Sequence, residues 1–145
     1  LREYQAPVEY GRSEIIRKGK KIAVLGVGSM IPSCMEICKG LKDDGYDPTF
    51  VNARFVKPLD VDLLDELAKD HSLFVTVEEN VKSGGYGEHV SAYMEACHPE
   101  IRVLSAAVWD RFVPQGNVES LRSRIGLGVE DIRQAIEDSE ELREQ

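Results

Sequence analysis

The sequence predicts an α/β domain of three layers, with a mainly parallel sheet of about five strands and an antiparallel edge. Helix-patterned and strand-patterned segments alternate with short connections, which demands crossover units and therefore parallel neighbours. Lys21-Ile22-Ala23-Val24-Leu25-Gly26-Val27 and Ser72-Leu73-Phe74-Val75-Thr76-Val77 are almost unbroken runs of β-formers, the composition of strands covered on both faces. At the start, Glu14-Ile15-Ile16-Arg17 and a Lys-Gly turn precede the first of these runs, and the arrangement reads as a hairpin that supplies the antiparallel edge.

Along the chain, Ser29 is the expected N-cap of a helix running to about Asp44, with Ile31, Cys34, Cys38 and Leu41 on one stripe. Gly45 is placed to end it in a left-handed conformation. Asp47-Pro48 turns the chain into a strand over 49–53, and Asp60 caps a helix over 60–70 that buries Leu63, Leu64 and Leu67. The strand over 72–77 ends in Glu78-Glu79-Asn80 and a glycine-rich turn, followed by a helix over 88–97 and a strand over 101–108. Residues 109–116 read as irregular, and two helices over 118–125 and 129–142 close the chain, the latter with Ile132, Ala135 and Ile136 inward. The chain begins at Leu1, and residues 1–7 read as a linker entering a domain over 8–145, as expected for a piece of a longer polypeptide.

Composition narrows the function classes. With 26 acidic against 18 basic residues, the formal net charge is -8, and the basic residues are scattered apart from Arg17-Lys18-Gly19-Lys20-Lys21. Nucleic-acid binders need the opposite balance or a dense basic stripe, so no nucleic-acid partner is expected. No apolar run approaches the length of a membrane span, so no membrane partner is expected either. Three cysteines, an odd number, argue against a disulfide framework and point to a reducing, cytoplasmic setting. Cys34 and Cys38 share a helix face and lack partners at ligand spacing, so they read as small buried hydrophobes rather than a metal site.

Several segments carry chemistry-bearing residues. Val51-Asn52-Ala53-Arg54-Phe55-Val56-Lys57-Pro58 runs from a buried strand to an arginine and a breaker, which places the Arg54 guanidinium where open α/β sheets bind ligands. Arginine offers a charged, planar fork suited to phosphate or carboxylate; the alternative is an ion pair with a local acid such as Asp60. Gly26-Val27-Gly28 begins like a dinucleotide fingerprint, but the third glycine would fall at Ile31, and the next strand delivers Asn52 and Arg54 rather than an acid. The glycines therefore read as a tight strand-to-helix turn. Glu78 and Glu79 are neighbours on a strand and point to opposite faces, so one is expected to cap or pair locally while the other faces solvent or a partner. Gly84-Gly85-Tyr86-Gly87 precedes a helix, either to offer an anion its free N–H groups or to let backbone pass close to another subunit. His71, His89 and His98 have no catalytic partner at recognisable spacing and read as structural or solvated.

In order, Gly26-Val27-Gly28-Ser29, Ala53-Arg54-Phe55-Val56-Lys57-Pro58-Leu59-Asp60, Val75-Thr76-Val77-Glu78-Glu79-Asn80, Gly84-Gly85-Tyr86-Gly87 and Asp110-Arg111-Phe112-Val113-Pro114-Gln115-Gly116 form a pattern. It resembles the C-terminal domain of the 1-deoxy-D-xylulose-5-phosphate synthase family, within the transketolase superfamily, from about Val8 to Ile136. It departs at Val108-Trp109, where the synthases usually carry Leu-Pro. The resemblance implies a transketolase C-terminal-domain-like fold in an enzyme that condenses pyruvate with D-glyceraldehyde 3-phosphate, releasing CO2, on the way to isoprenoids. It implies thiamine diphosphate and Mg2+ between an N-terminal and a central domain that this chain does not match. Catalytic, cofactor-binding and metal-binding residues are then expected elsewhere, with a homodimer partner and no activity in this domain alone. It further implies that Arg54 grips the phosphate of the phosphorylated aldehyde. Two other readings remain: a stand-alone association module of the same fold, or the equivalent domain of a transketolase or a 2-oxo-acid dehydrogenase β subunit.

Overall fold

Alternating side chains along the central strands build the layers. In β2 (Lys21–Gly26), Ile22 and Val24 enter one apolar cluster while Ala23 and Leu25 enter another on the opposite face. In β4 (His71–Glu79), Leu73, Val75 and Val77 join the first cluster and Phe74 the second. Both faces must therefore be covered, and helices cover them. The computed structural model describes residues 11–54, 58–79, 85–108 and 129–144.

With β1 (Glu14–Arg17), β3 (Thr49–Asn52) and β5 (Arg102–Val108), these strands form one five-stranded sheet in the order β1-β3-β2-β4-β5. The ladders β2–β3, β2–β4 and β4–β5 are parallel, and β1 runs antiparallel to β3. A 3-10 turn (Gly28–Met30) leads into α1 (Ile31–Asp43), which packs with the last helix, α4 (Val129–Glu144), on the first cluster. Ile37 and Leu41 of α1 and Ile132 and Ile136 of α4 are wholly buried there. On the other face, α2 (Val61–Leu67) contributes Leu64 and Leu67, and α3 (Tyr86–Cys97) contributes Tyr86, Val90 and Met94. The architecture is the three-layer, mainly parallel arrangement expected. The expected helix over 118–125 and the irregular segment over 109–116 lie outside the described residues.

Two local expectations need correction. The antiparallel edge exists, but the hairpin does not: β1 lies against β3, with Glu14 opposite Asn52 and Ile15 opposite Val51. Both edges of β2 are occupied by the parallel ladders to β3 and β4, so no antiparallel partner has an edge to join. The link between β1 and β2 instead crosses the start of β3. Gly19 N–H donates to Thr49 Oγ1 at 2.8 Å, and Lys20 N–H donates to the Asp47 carbonyl at 2.8 Å. A Cβ on Gly19 would stand 2.2 Å from the Asp47 oxygen, so glycine is required for the crossing.

Ser29 is not the N-cap of α1. It belongs to the 3-10 turn, and Met30 takes the cap position without a side-chain hydrogen bond. Pro32 in the first turn of α1 has no N–H, which removes one of the donors that a serine cap would satisfy. Asp60 does cap α2, accepting from Leu63 N–H at 3.2 Å, and Gly45 adopts φ +98° beyond α1, both as expected. Across the other face, Arg133 of α4 pairs with Asp44 at the end of α1 and with Glu137 at 2.7 Å, tying the last helix to the first.

Candidate anion site at the strand exits

β2 leads into α1 on one face, and its neighbour β4 leads into α3 on the other. Their exits therefore flank the topological switch point at which doubly wound sheets bind ligands. Backbone bonds draw three exits together: Val27 N–H donates to the Val77 carbonyl at 3.1 Å, and Ala53 N–H to the Gly26 carbonyl at 2.9 Å. Arg54 stands one residue beyond, at the end of β3.

The chain turns sharply at Arg54, which adopts φ +66°, a left-handed conformation uncommon for a residue with a Cβ. Its N–H donates to Asn52 Oδ1 at 3.1 Å, so the side chain of the last strand residue stabilises the turn. Its guanidinium meets Glu14 of β1, with Nη2 donating to Oε1 at 2.7 Å, and the two side chains are only 15% and 19% exposed. The alternative reading offered an ion pair with a local acid such as Asp60; the ion pair forms, but with Glu14. Asp60 is 8% exposed and already accepts from Ser13 N–H at 2.7 Å and Leu63 N–H at 3.2 Å, with Arg12 3.7 Å away. Its oxygens serve the start of α2 and the segment before β1. Glu14 lies 40 residues from Arg54 in sequence and arrives through the antiparallel β1–β3 register that the hairpin reading excluded.

At the exit of β4, Glu78 turns back over the start of α3. Its two carboxylate oxygens accept from Tyr86 N–H at 2.9 Å and Gly87 N–H at 2.8 Å. The anion slot at this helix start is thus filled by the protein's own carboxylate, a favourable placement at the positive end of a helix. Gly87 passes close to its own sheet: a Cβ there would lie 2.7 Å from Thr76 Oγ1 and 2.8 Å from Glu78 Oε2. Glu79 is half-buried on the other side of the strand. The two carboxylates do not share a site, and the local capping role expected for one of them belongs to Glu78. Burial pushes the Tyr86 hydroxyl well above its ordinary range, with the nearby Asp60 and Glu78 charges acting in the same direction. It stays protonated inside the apolar cluster on that face.

Gly26, the last residue of β2, serves packing, whereas Gly28 takes φ +56° in the strand-to-helix turn with open space around its Cβ position. A Cβ on Gly26 would lie 2.6 Å from Cys34 Sγ, so α1 is pressed against the strand end there. Cys34 and Cys38 are both buried. Burial raises both thiols, with the neighbouring Cys38 adding to the effect at Cys34; Cys38 is raised to about 12, with Arg17 opposing. They are protonated and unreactive at neutral pH.

His71 is held inside, with Nδ1 donating to the Leu67 carbonyl at 2.8 Å and Nε2 bonded to Thr49 Oγ1 at 2.7 Å. His98 bonds Asp65 at 2.7 Å beyond the end of α3, and His89 Nε2 is buried without a hydrogen-bond partner among the described residues. None of the three joins Arg54. Among the described residues, no group of three His, Cys, Asp or Glu side chains is arranged to hold a metal ion, and no helix is long and apolar enough to cross a membrane. Residues 55–57, 80–84 and 109–128, which include the late Asp-Arg-Phe-Val-Pro-Gln-Gly block, lie outside the described residues.

The sheet order and its switch point define a three-layer, doubly wound α/β domain, and comparison with known proteins gives the family. The profile of the family "Transketolase, C-terminal domain" matches residues 11–132, and the chain belongs to that family. Among individual proteins, it is 38% identical over 133 residues to the 1-deoxy-D-xylulose-5-phosphate synthase of Lachnoclostridium phytofermentans, covering 91% of this chain and 21% of that protein. It is 39% identical over 136 residues to the synthase of Dictyoglomus thermophilum, covering 94% of this chain and 22% of that one. The chain thus spans about a fifth of the length of the curated relatives it matches. A solved structure described as a split-gene transketolase, an inactive β4 tetramer, superposes with a TM-score of 0.74 at 28% identity over 92% of this chain and 43% of that one. The transketolase of Campylobacter jejuni shares the fold, with a TM-score of 0.56 at 17% identity over 88% of this chain and 18% of that one.

Proposed function

We propose that this chain acts as the C-terminal domain of a thiamine-diphosphate-dependent 1-deoxy-D-xylulose-5-phosphate synthase, working as part of a longer polypeptide. In that setting it joins N-terminal and central domains, contributes contacts to a homodimer in the cytoplasm, and supplies Arg54 to the phosphate of D-glyceraldehyde 3-phosphate. It is not active alone. No residue of this chain is assigned to thiamine diphosphate or Mg2+. In the parent enzyme the thiamine group would supply the electron sink needed to decarboxylate pyruvate and join its remaining carbons to the aldehyde.

The observation that carries the proposal is the setting of Arg54. A half-buried guanidinium stands at the exit of a parallel strand, fixed by a left-handed backbone and, among the described residues, by one monodentate ion pair. The turn and the ion pair together fix the direction of the fork before a ligand arrives, which suits a clamp on a substrate phosphate. Replacing Arg54 by Ala in the complete polypeptide is expected to raise KM for D-glyceraldehyde 3-phosphate by roughly 10- to 100-fold, the loss of one charge-assisted contact. KM for pyruvate should change far less. An unchanged KM for the phosphorylated aldehyde overturns the role.

The split-gene relative, described as an inactive tetramer, favours one further point: a piece of a transketolase-type enzyme folds and associates without activity. The stand-alone module reading predicts a native reading frame that begins near Leu1. A long upstream frame encoding a cofactor-binding domain would exclude it.

A further inference from the structure

We propose that Glu14 is a positioning residue for Arg54, holding the guanidinium ready for the substrate phosphate rather than competing with it; this rests on the phosphate role of Arg54. The geometry of the pair decides between those two possibilities. Glu14 takes Nη2 alone, through one oxygen at 2.7 Å. A guanidinium has two edges that present parallel N–H pairs, Nε with Nη2 and Nη1 with Nη2. A carboxylate acting as the preferred anion would occupy one edge with both oxygens. Here a single Nη2 hydrogen is used, so one complete edge remains for a bidentate oxyanion, and no described residue takes Nε or Nη1.

The surroundings favour the same reading. Glu14 is anchored in the β1–β3 ladder, opposite Asn52, whose side chain also accepts the Arg54 N–H. One cross-strand pair therefore sets both the backbone turn and the side-chain direction of Arg54. With Arg54 only 15% exposed, its long side chain has already lost most of its rotamer freedom before any ligand arrives. A phosphate meeting that fork forgoes little further ordering entropy.

The test uses the complete polypeptide and two acceptors, D-glyceraldehyde 3-phosphate and unphosphorylated D-glyceraldehyde. Glu14→Ala is expected to raise KM for the phosphorylated aldehyde about tenfold, with kcat and the unphosphorylated reaction nearly unchanged. Glu14→Gln, which keeps one acceptor oxygen, should restore much of that loss. On an Arg54→Ala background, Glu14→Ala should add nothing. A lower KM in Glu14→Ala would make Glu14 a competitor and overturn the proposal, as would an equal change for both aldehydes. If Arg54→Ala alone shows the phosphate-selective loss while Glu14→Ala shows none, the positioning role fails and the Arg54 role stands. If Arg54→Ala shows no selective loss, both fall. A thermal melt of each variant separates a folding defect from these outcomes, and Glu14→Gln keeps the size of the side chain should Glu14→Ala fold poorly.

Discussion

Arg54 adopts φ +66°, a region in which a side chain costs about 1–2 kcal/mol relative to glycine. Arg54→Gly and Arg54→Ala both remove the ion pair with Glu14, but only the glycine variant relieves the backbone. Glycine should therefore be the more stable of the two by about 1 kcal/mol in urea unfolding, after its own entropy cost is taken into account. Equal stabilities would mean that the turn at Arg54 is unstrained. The position of Arg54 was legible in the sequence, because a β-former run ending at Arg54 and Pro58 places it at a strand exit. Its partner was not. Asp60 is near in sequence but spent on the α2 cap, whereas Glu14 reaches Arg54 only through the long-range β1–β3 register.

Helix α3 joins two readings that the sequence kept apart, a local cap by one glutamate and an anion or a close backbone approach at the glycine-rich turn. Its glycine-rich approach suggested an anion at the helix start, and the anion is Glu78 from the preceding strand. Glu78→Ala leaves the Tyr86 and Gly87 N–H groups without their acceptor and should destabilise the domain by about 1–2 kcal/mol, as measured by urea unfolding. A cost near zero would show that solvent replaces the carboxylate freely. At the other end, His98 and Tyr93 both bond Asp65 at 2.7 Å, joining α3 to α2. The His98 bond first, and the Tyr93 bond next, hold the Asp65 carboxyl below its ordinary value of 3.8. A depressed folded value means stability that is present above 3.8 and lost as pH falls through the lower folded value. Asp65→Asn should thus be less stable at neutral pH, with the gap closing in acid below that range. A gap of constant size across the acid limb would contradict this.

At the scale of the molecule, the sheet was legible because β2 and β4 carry continuous apolar runs that require cover on both faces, and both apolar clusters formed as that demands. The hairpin was misread for a reason of the same scale. Strand period shows which segments are strands, but it does not show which edges are already taken, and β2 has none to spare. The same limit applied to the site, whose parts come from β1 and the end of β3. In the function we propose, this fold aims one guanidinium at the phosphate of a substrate whose reacting end is handled by other domains. That role is read out by the ratio of kcat/KM for D-glyceraldehyde 3-phosphate to that for D-glyceraldehyde, in the complete polypeptide with and without Arg54→Ala. The substitution should collapse the ratio by roughly 10- to 100-fold while leaving the unphosphorylated reaction nearly intact. A ratio that stays the same, or a loss shared equally by both aldehydes, would contradict a phosphate clamp at Arg54.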